Sequence, residues 1–320
     1  MQVLLLAKEM GVLKVGNISL DGSKIHADAF KSKAVSYKRL LALEERLRAE
    51  VAEVLSLGES ADQGEVDLPE GLDNLARAKA VLQARAEERH AGEQAEYEAK
   101  VREREEKAKR KGRRPGGKPP HPPTPGVRDQ DQYNFTDPDS RIMKNSTDDG
   151  FNQHYNAQVG VAQDRLLILG HSLSNHANDQ AESTLASIPE QLGKIEAVAM
   201  DNGFFSPTNT KACEVRGIEP YIATGRQAHH QSWQSFFAKE PQPPSEAASS
   251  TVKMAYKLQT AVGHEIYRLR KCTVEPVIGL IKEVLGFRQF SLRGLFAAEW
   301  TLVCLAYNLK RLHVLDEKTA

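Results

Sequence analysis

Ala197-Val198-Ala199-Met200-Asp201-Asn202-Gly203 is a short apolar run closed by an acid and a glycine. A strand buried on both faces reads this way, and the carboxyl end of such a strand is where α/β sheets place ligands. Downstream, Ser206-Pro207 supplies an N-cap and a proline at the first helical position, and Gly217 stops that helix. Pro220-Tyr221-Ile222-Ala223 is a further short strand. Upstream, Tyr155, Ala157, Val159 and Val161 alternate, Gln163-Asp164-Arg165 is polar, and an apolar run resumes from Leu166 to Ser172. That pattern predicts an antiparallel hairpin, and Asp179 to Leu192 reads as a helix after it.

Toward the N-terminus, Asn17 to Ala27 reads as a strand carrying Asp21-Gly22. Asp-Gly in such a run suits a tight hairpin turn; on the strand itself, Asp21 would be a metal ligand. From Lys31 to about Lys111 the composition changes. Leu40, Leu41, Leu43, Leu47, Val51, Val54 and Leu55 stripe one amphipathic helix. An acidic connector (Gly58 to Glu70) leads to a second long helix from about Leu72, so the segment reads as a helical hairpin. Its end is strongly basic, with Arg102, Arg104, Lys107, Lys109, Arg110, Lys111, Arg113 and Arg114 running on to Lys118. Such a run is a solvated face or a contact for phosphates. Gly112 to Gly126 is rich in proline and glycine and serves as a linker or an exposed arm. The chain therefore divides into 1–30 with the first strand, 31–126 as a charged helical insertion with its basic linker, and 127–320 as the rest of an α/β domain.

Near the C-terminus, Val274, Val277, Ile278, Ile281 and Leu285 mark one buried helical face. Thr273 would cap that helix, leaving Pro276 in its first turn, where proline is tolerated. Glu275 and Lys282 lie two turns apart on the other face, with Arg268 and Lys271 behind them. Trp300, Leu302, Val303, Leu305, Ala306 and Leu309 form a last amphipathic helix.

Composition narrows the function classes. The chain has 320 residues, 40% hydrophobic, with zero formal net charge, so any nucleic-acid signal must be local. Three scattered cysteines (Cys213, Cys272, Cys304) show no metal-ligand spacing and fit a reducing cytoplasm. No stretch has the layout of a signal peptide or the length of a membrane span. The expectation is a cytoplasmic protein, nucleoid-associated when acting, with no membrane contact.

With the insertion removed, the predicted order of strands and helices is that of a ribonuclease H-like mixed sheet with C-terminal helices. The chain resembles the catalytic part of DDE transposases of bacterial insertion sequences, relatives of the group with a Tyr-Arg-Glu-Lys signature. The matching pieces are Leu20 to Ile25, Thr136 to Arg141, Gly150 to Gln158, Asp201 to Phe204, Tyr221 to Arg226, and Tyr267 through Glu275 to Lys282, followed by Gly286-Phe287-Arg288 and Arg293-Gly294. Glu275 and Lys282 keep the signature's spacing, whereas Tyr267 and Arg270 are one residue farther from Glu275. Relatives carry a helical DNA-recognition domain ahead of the first acid. Only about twenty residues stand there here, so that domain is expected to be missing.

The resemblance implies metal-dependent nicking of DNA and transfer of the freed 3′-end to target DNA. Asp21, Asp201 and Glu275 would hold two Mg²⁺ (or Mn²⁺), Asp21 bridging both; hard oxygen donors suit these ions. Tyr267, Arg268, Arg270, Lys271 and Lys282 would hold phosphates, and Arg110, Lys111, Arg113 and Arg114 flanking DNA. The partner is double-stranded DNA, element ends and target, held by a homodimer without a small-molecule cofactor. Asp137, Asp139, Asp148 and Asp149 are also candidate ligands, the first two reading as turn acids. His154, His171 and His176 read as structural. Two rivals stand beside this: a truncated, inactive DNA-binding or oligomerising remnant, and a coiled-coil protein built on residues 31–111.

Overall fold

The computed structural model describes residues 2–58, 70–113, 116–145, 150–225, 242–245, 248–295 and 297–317. The chain forms two compact units: Met1–Ala29 with Asp139–Ala320, and Phe30–Pro138. The first unit opens with helix α1 (Gln2–Glu9) and strand β1 (Asn17–His26). The second holds β2 (Ala34–Ser36), α2 (Tyr37–Gly58), α3 (Glu70–Lys111) and β3 (Gln132–Asn134). The first unit resumes with β4 (Arg141–Lys144), β5 (Phe151–Ala162), β6 (Ile168–Ser174), α4 (Ala181–Ala186), β7 (Ala197–Met200), α5 (Pro207–Val215) and β8 (Glu219–Ile222). It ends with α6 (Ser250–Gln259), α7 (Ala261–Glu283) and α8 (Ala297–Glu317).

The sheet of the first unit is mixed. Its strands run β4-β5-β1-β7-β8, with β6 also paired to β5. β5 is antiparallel to β1, β7 and β8 continue in parallel, and β4 and β6 are antiparallel to β5. β1 is thus paired along both edges, and its side chains alternate between two cores. Ile18 and Leu20 pack with Leu4, Val198 and Met200 on one face, while Ile25 packs with Tyr155, Val159, Val274, Val277, Ile281 and Trp300 on the other.

α8 closes the free edge of β6. Buried Asn308 accepts from the Ile168 N–H at 2.9 Å and donates to the Ile168 carbonyl at 2.8 Å, replacing the neighbour strand that β6 lacks. α4 crosses β6 at Gly170, where an added Cβ would lie 2.7 Å from the Thr184 carbonyl and 2.8 Å from Ser187 Oγ.

The second unit has its own small core, in which Leu40 on α2 meets Leu75, Ala78 and Leu82 on α3 and Tyr133 on β3. Lys79–Glu44, Arg89–Asp131 and Arg128–Glu93 pairs fasten its periphery.

Of the two readings of Asp21-Gly22, the strand holds: β1 runs straight through both residues, with no hairpin. Two local expectations change. The segment from Asp179 begins as a helix only at Ala181 and is broken ahead of Pro189, with a single 3-10 turn at Glu190–Leu192. Thr273 caps no helix, because α7 starts at Ala261 with Thr260 as its cap, accepting from the Gly263 N–H at 3.1 Å. Pro276 therefore sits inside α7, on an exposed side, where water can serve the carbonyl left without a donor. The burial of Val274, Val277 and Ile281 outweighs that local defect.

Replacing Asn308 by Ala leaves a buried N–H and a buried carbonyl unserved, which costs roughly 2–5 kcal/mol. Urea unfolding of Asn308→Ala should show that loss with an unchanged slope, and a loss under about 1 kcal/mol would refute the edge-closing role.

Candidate active site

Parallel pairing sets the first two acids abreast. Leu20 is in register with Met200, so Asp21, midway along β1, stands level with Asp201 just past the end of β7. Asp201 Oδ1 accepts the Gly203 N–H at 2.9 Å and so caps the 3-10 turn Asn202–Phe204. Asp21 Oδ1 accepts the N–H of Gly22 at 2.8 Å.

α7 brings the third acid. Its position over β1 is set by a buried polar contact: Thr273 Oγ1 lies 2.7 Å from Ser19 Oγ and 2.8 Å from the Leu269 carbonyl. One turn earlier, Arg270 reaches two carboxylates at once. Nη1 donates to Asp21 Oδ2 at 2.9 Å and Nη2 to Glu275 Oε1 at 3.2 Å. Side-chain exposure rises from 9% at Arg270 through 16% at Asp21 to 49% at Glu275, so the pair opens to solvent on the Glu275 side. Arg270 Nε is buried without a hydrogen-bond partner among the described residues. The extra residue between Arg270 and Glu275 does not keep their side chains apart.

A fourth acid, Asp179, stands in the same place. It lies in the loop ahead of α4, its carbonyl accepting from Asn209 Nδ2 at 3.2 Å and its carboxylate from Asn156 Nδ2 at 2.9 Å. One carboxylate oxygen presses where a side chain on Gly22 would start, and the other comes within 2.9 Å of where a Cβ on Gly203 would be. A side chain at either glycine would have to displace the Asp179 carboxylate. Sequence reasoning placed Asp179 inside a helix; the only available signal was an acid in a polar loop after a strand, which is too common to single it out.

Electrostatics follows from this crowding. Asp21 is pushed up to about 7, first by burial; the Arg270 guanidinium pulls it down, while Asp201 and Asp179 push it up. Asp179 is raised by burial, with Asp201 adding to the effect and the Asn156 bond opposing it. Tyr267, buried beside Arg270, is raised by loss of solvent, and Lys282 is lowered by burial and by Arg288. Lys282 Nζ rests 3.4 Å from the Lys24 carbonyl.

Asp21, Asp201 and Asp179 crowd one another, with Arg270 and Lys24 bringing positive charge against them. Carboxylate oxygens are the kind of donor that Mg²⁺ takes. Among the described residues, however, no three acidic, His or Cys side chains already stand as a ligand set. Between Asp21 and Glu275 the charge is met by Arg270.

The remaining candidates lie elsewhere. Arg268 and Lys271 are exposed on α7. Arg110 and Arg113 are exposed in the second unit, where Lys111 closes α3 and Arg104 holds the Gly117 carbonyl at 2.7 Å. Arg114, Asp148, Asp149, Arg226, His229 and His230 fall outside the described residues. Buried Asp137 has its N–H on Asn134 Oδ1 at 3.2 Å, and Asp139 Oδ2 accepts from the Leu295 N–H at 3.3 Å. His154 is depressed to about 4 by burial and stacks on His26, and His171 meets Thr301 Oγ1 at 2.8 Å.

A family model described as Transposase DDE domain matches residues 241–313. The matched stretch contains Tyr267, Arg270, Glu275 and Lys282 and does not reach Asp21 or Asp201; it supports a DDE transposase. No curated protein and no solved structure matches the chain.

Because Asp21 binds its proton more tightly folded than unfolded, its contribution to stability is fully present below about pH 4 and is lost as pH rises through about 7. Asp21→Asn should remove that dependence, flattening denaturation free energy between pH 4 and 7 by a few kcal/mol. Asp179→Asn should lower the Asp21 titration midpoint in carboxyl NMR; an unmoved midpoint would separate the two residues.

Proposed function

We propose that this chain is a DNA transposase that nicks and joins DNA strands for an insertion sequence. The observation that carries the reading is the meeting of Asp21 and Glu275 on Arg270, with Asp201 abreast of Asp21, in a chain whose α6–α8 region matches the transposase family model. The strand order β6-β5-β1-β7-β8, with β7 and β8 parallel to β1, supports a ribonuclease H-like fold beneath it.

In this reading Asp21, Asp201 and Glu275 hold the divalent ions, two Mg²⁺ or Mn²⁺, with Asp179 adding charge beside them. Such ions, when bound, activate a water or a 3′-hydroxyl and stabilise the leaving oxygen. The chain's own residues position the DNA. Arg270, Tyr267 and Lys282 face the phosphate at the reacting point, and exposed Arg268 and Lys271 extend the contact along the backbone. Lys282 suits a phosphate contact because burial has stripped part of its solvation, so a phosphate oxygen replaces water it already lacks. In the second unit, Arg110, Lys111, Arg113 and Arg114 take DNA phosphates without reading sequence. Holding two element ends and a target calls for two copies of the chain. Among the described residues no helix is long and apolar enough to cross a membrane.

A nicking assay on supercoiled DNA with Mg²⁺ or Mn²⁺ tests the reading. Asp201→Asn should lower the rate roughly a hundredfold or more, the loss of at least about 3 kcal/mol of transition-state stabilisation. Equal rates in parent and variant, or no nicking by either, would favour a DNA-binding protein without catalysis.

Charge removal in the second unit should act differently. Arg110→Ala with Arg113→Ala should reduce the slope of log affinity against log salt by roughly 1–2, equally on any DNA sequence. An unchanged slope would remove the basic tail from the DNA interface.

A further inference from the structure

We infer that the outer face of α8 is the seam through which two copies of this chain pair, their α8 helices antiparallel about a two-fold axis. The need for two copies rests on the transposase reading above; the place where they meet is read from α8 itself.

A helix packed on a domain surface buries one apolar stripe and turns polar residues to water. α8 buries Trp300, Cys304, Tyr307, Leu312 and Leu315, yet its opposite side is apolar as well. Leu302, Leu305 and Leu309 are 63%, 37% and 50% exposed, and Ala298 ahead of them is exposed too. From Ala298 onward these residues follow one another at intervals of four, three and four, the a/d spacing of a helix that packs along another helix.

The stripe is complementary to itself. In an antiparallel pair each a position faces a d position, so Leu302 meets the partner's Leu305 and Leu309 meets the partner's Ala298. Leucine thus lies on leucine at the two inner layers, and leucine on alanine at each end. An isologous two-fold contact requires this relation of a surface to its own copy. Charge agrees with the direction. Glu299 and Lys310 lie on one flank of the stripe, eleven residues apart like Ala298 and Leu309. The antiparallel arrangement therefore sets each Glu299 near the partner's Lys310. The seam runs only about 16 Å along the helix. It falls short of the roughly 800 Å² per partner of a standard interface, so the dimer should dissociate on dilution.

Sedimentation of the full chain over a dilution series tests the pairing. The parent should show a monomer–dimer equilibrium. Leu302→Glu with Leu309→Glu should weaken it about tenfold or more, with the melting temperature of the monomer unchanged because both side chains already face water. A dimer of undiminished strength, or a parent that is monomeric throughout, overturns the seam. Cross-linking tests the direction without burying a charge, in a Cys272→Ser background because Cys272 is exposed. Chains carrying Ala298→Cys and Leu309→Cys, mixed and mildly oxidised, should join to each other, and neither should join to itself. In the antiparallel seam like positions stand about 16 Å apart, beyond the reach of a disulfide. Either chain coupling only to itself overturns the arrangement. The two readings fail separately. Mixed disulfides in a chain that does not nick DNA sink the transposase reading alone, and nicking by a parent whose dimer ignores the glutamates sinks the seam alone.

Discussion

Everything at this site depends on β1 being hydrogen-bonded on both sides. A strand held antiparallel to β5 and parallel to β7 cannot slip by one residue without turning Ile18 and Leu20 out of one core and Ile25 out of the other. That hydrophobic penalty fixes where Asp21 emerges. Because β7 is parallel, the fixed register passes directly to Asp201. Two carboxylates distant in sequence are thus brought together by apolar side chains that touch neither of them.

The third carboxylate reaches the site by a different route. α7 lies across the sheet on an apolar stripe, which sets its face but leaves some freedom along its axis. The Thr273–Ser19 contact limits that freedom by tying one point of the helix to β1 inside the core. With α7 so placed, Arg270 reaches Asp21, midway along β1, and Glu275 with it. Polar contacts buried in the core here specify position, while the apolar stripe supplies most of the binding between helix and sheet.

How much of this was legible in the chain varies with the range of the force involved. The apolar run ending in Asp201-Asn202-Gly203 and the Ser206-Pro207 cap are local signals, and their strand and helix stand where they predict. The placement of Pro276 was misleading, because its local rule assumes that nothing else pays the helix's cost, whereas burial of Val274, Val277 and Ile281 does. Thr273 follows the same logic: its hydroxyl answers to Ser19, 254 residues away, and not to a helix start. Asp179 was unreadable in principle. What marks it is the missing side chains of Gly22 and Gly203 opposite it, a relation that exists only once the chain is folded.

The insertion leaves and re-enters the chain through one narrow gate. Ala34 pairs with Asn134 and Ser36 with Gln132, while the Asn134 amide donates to the Phe30 carbonyl at 3.0 Å. Both ends of the long helical hairpin are therefore zipped together before the chain continues. A segment closed at its base in this way holds its two ends together whatever the length of the helices between them.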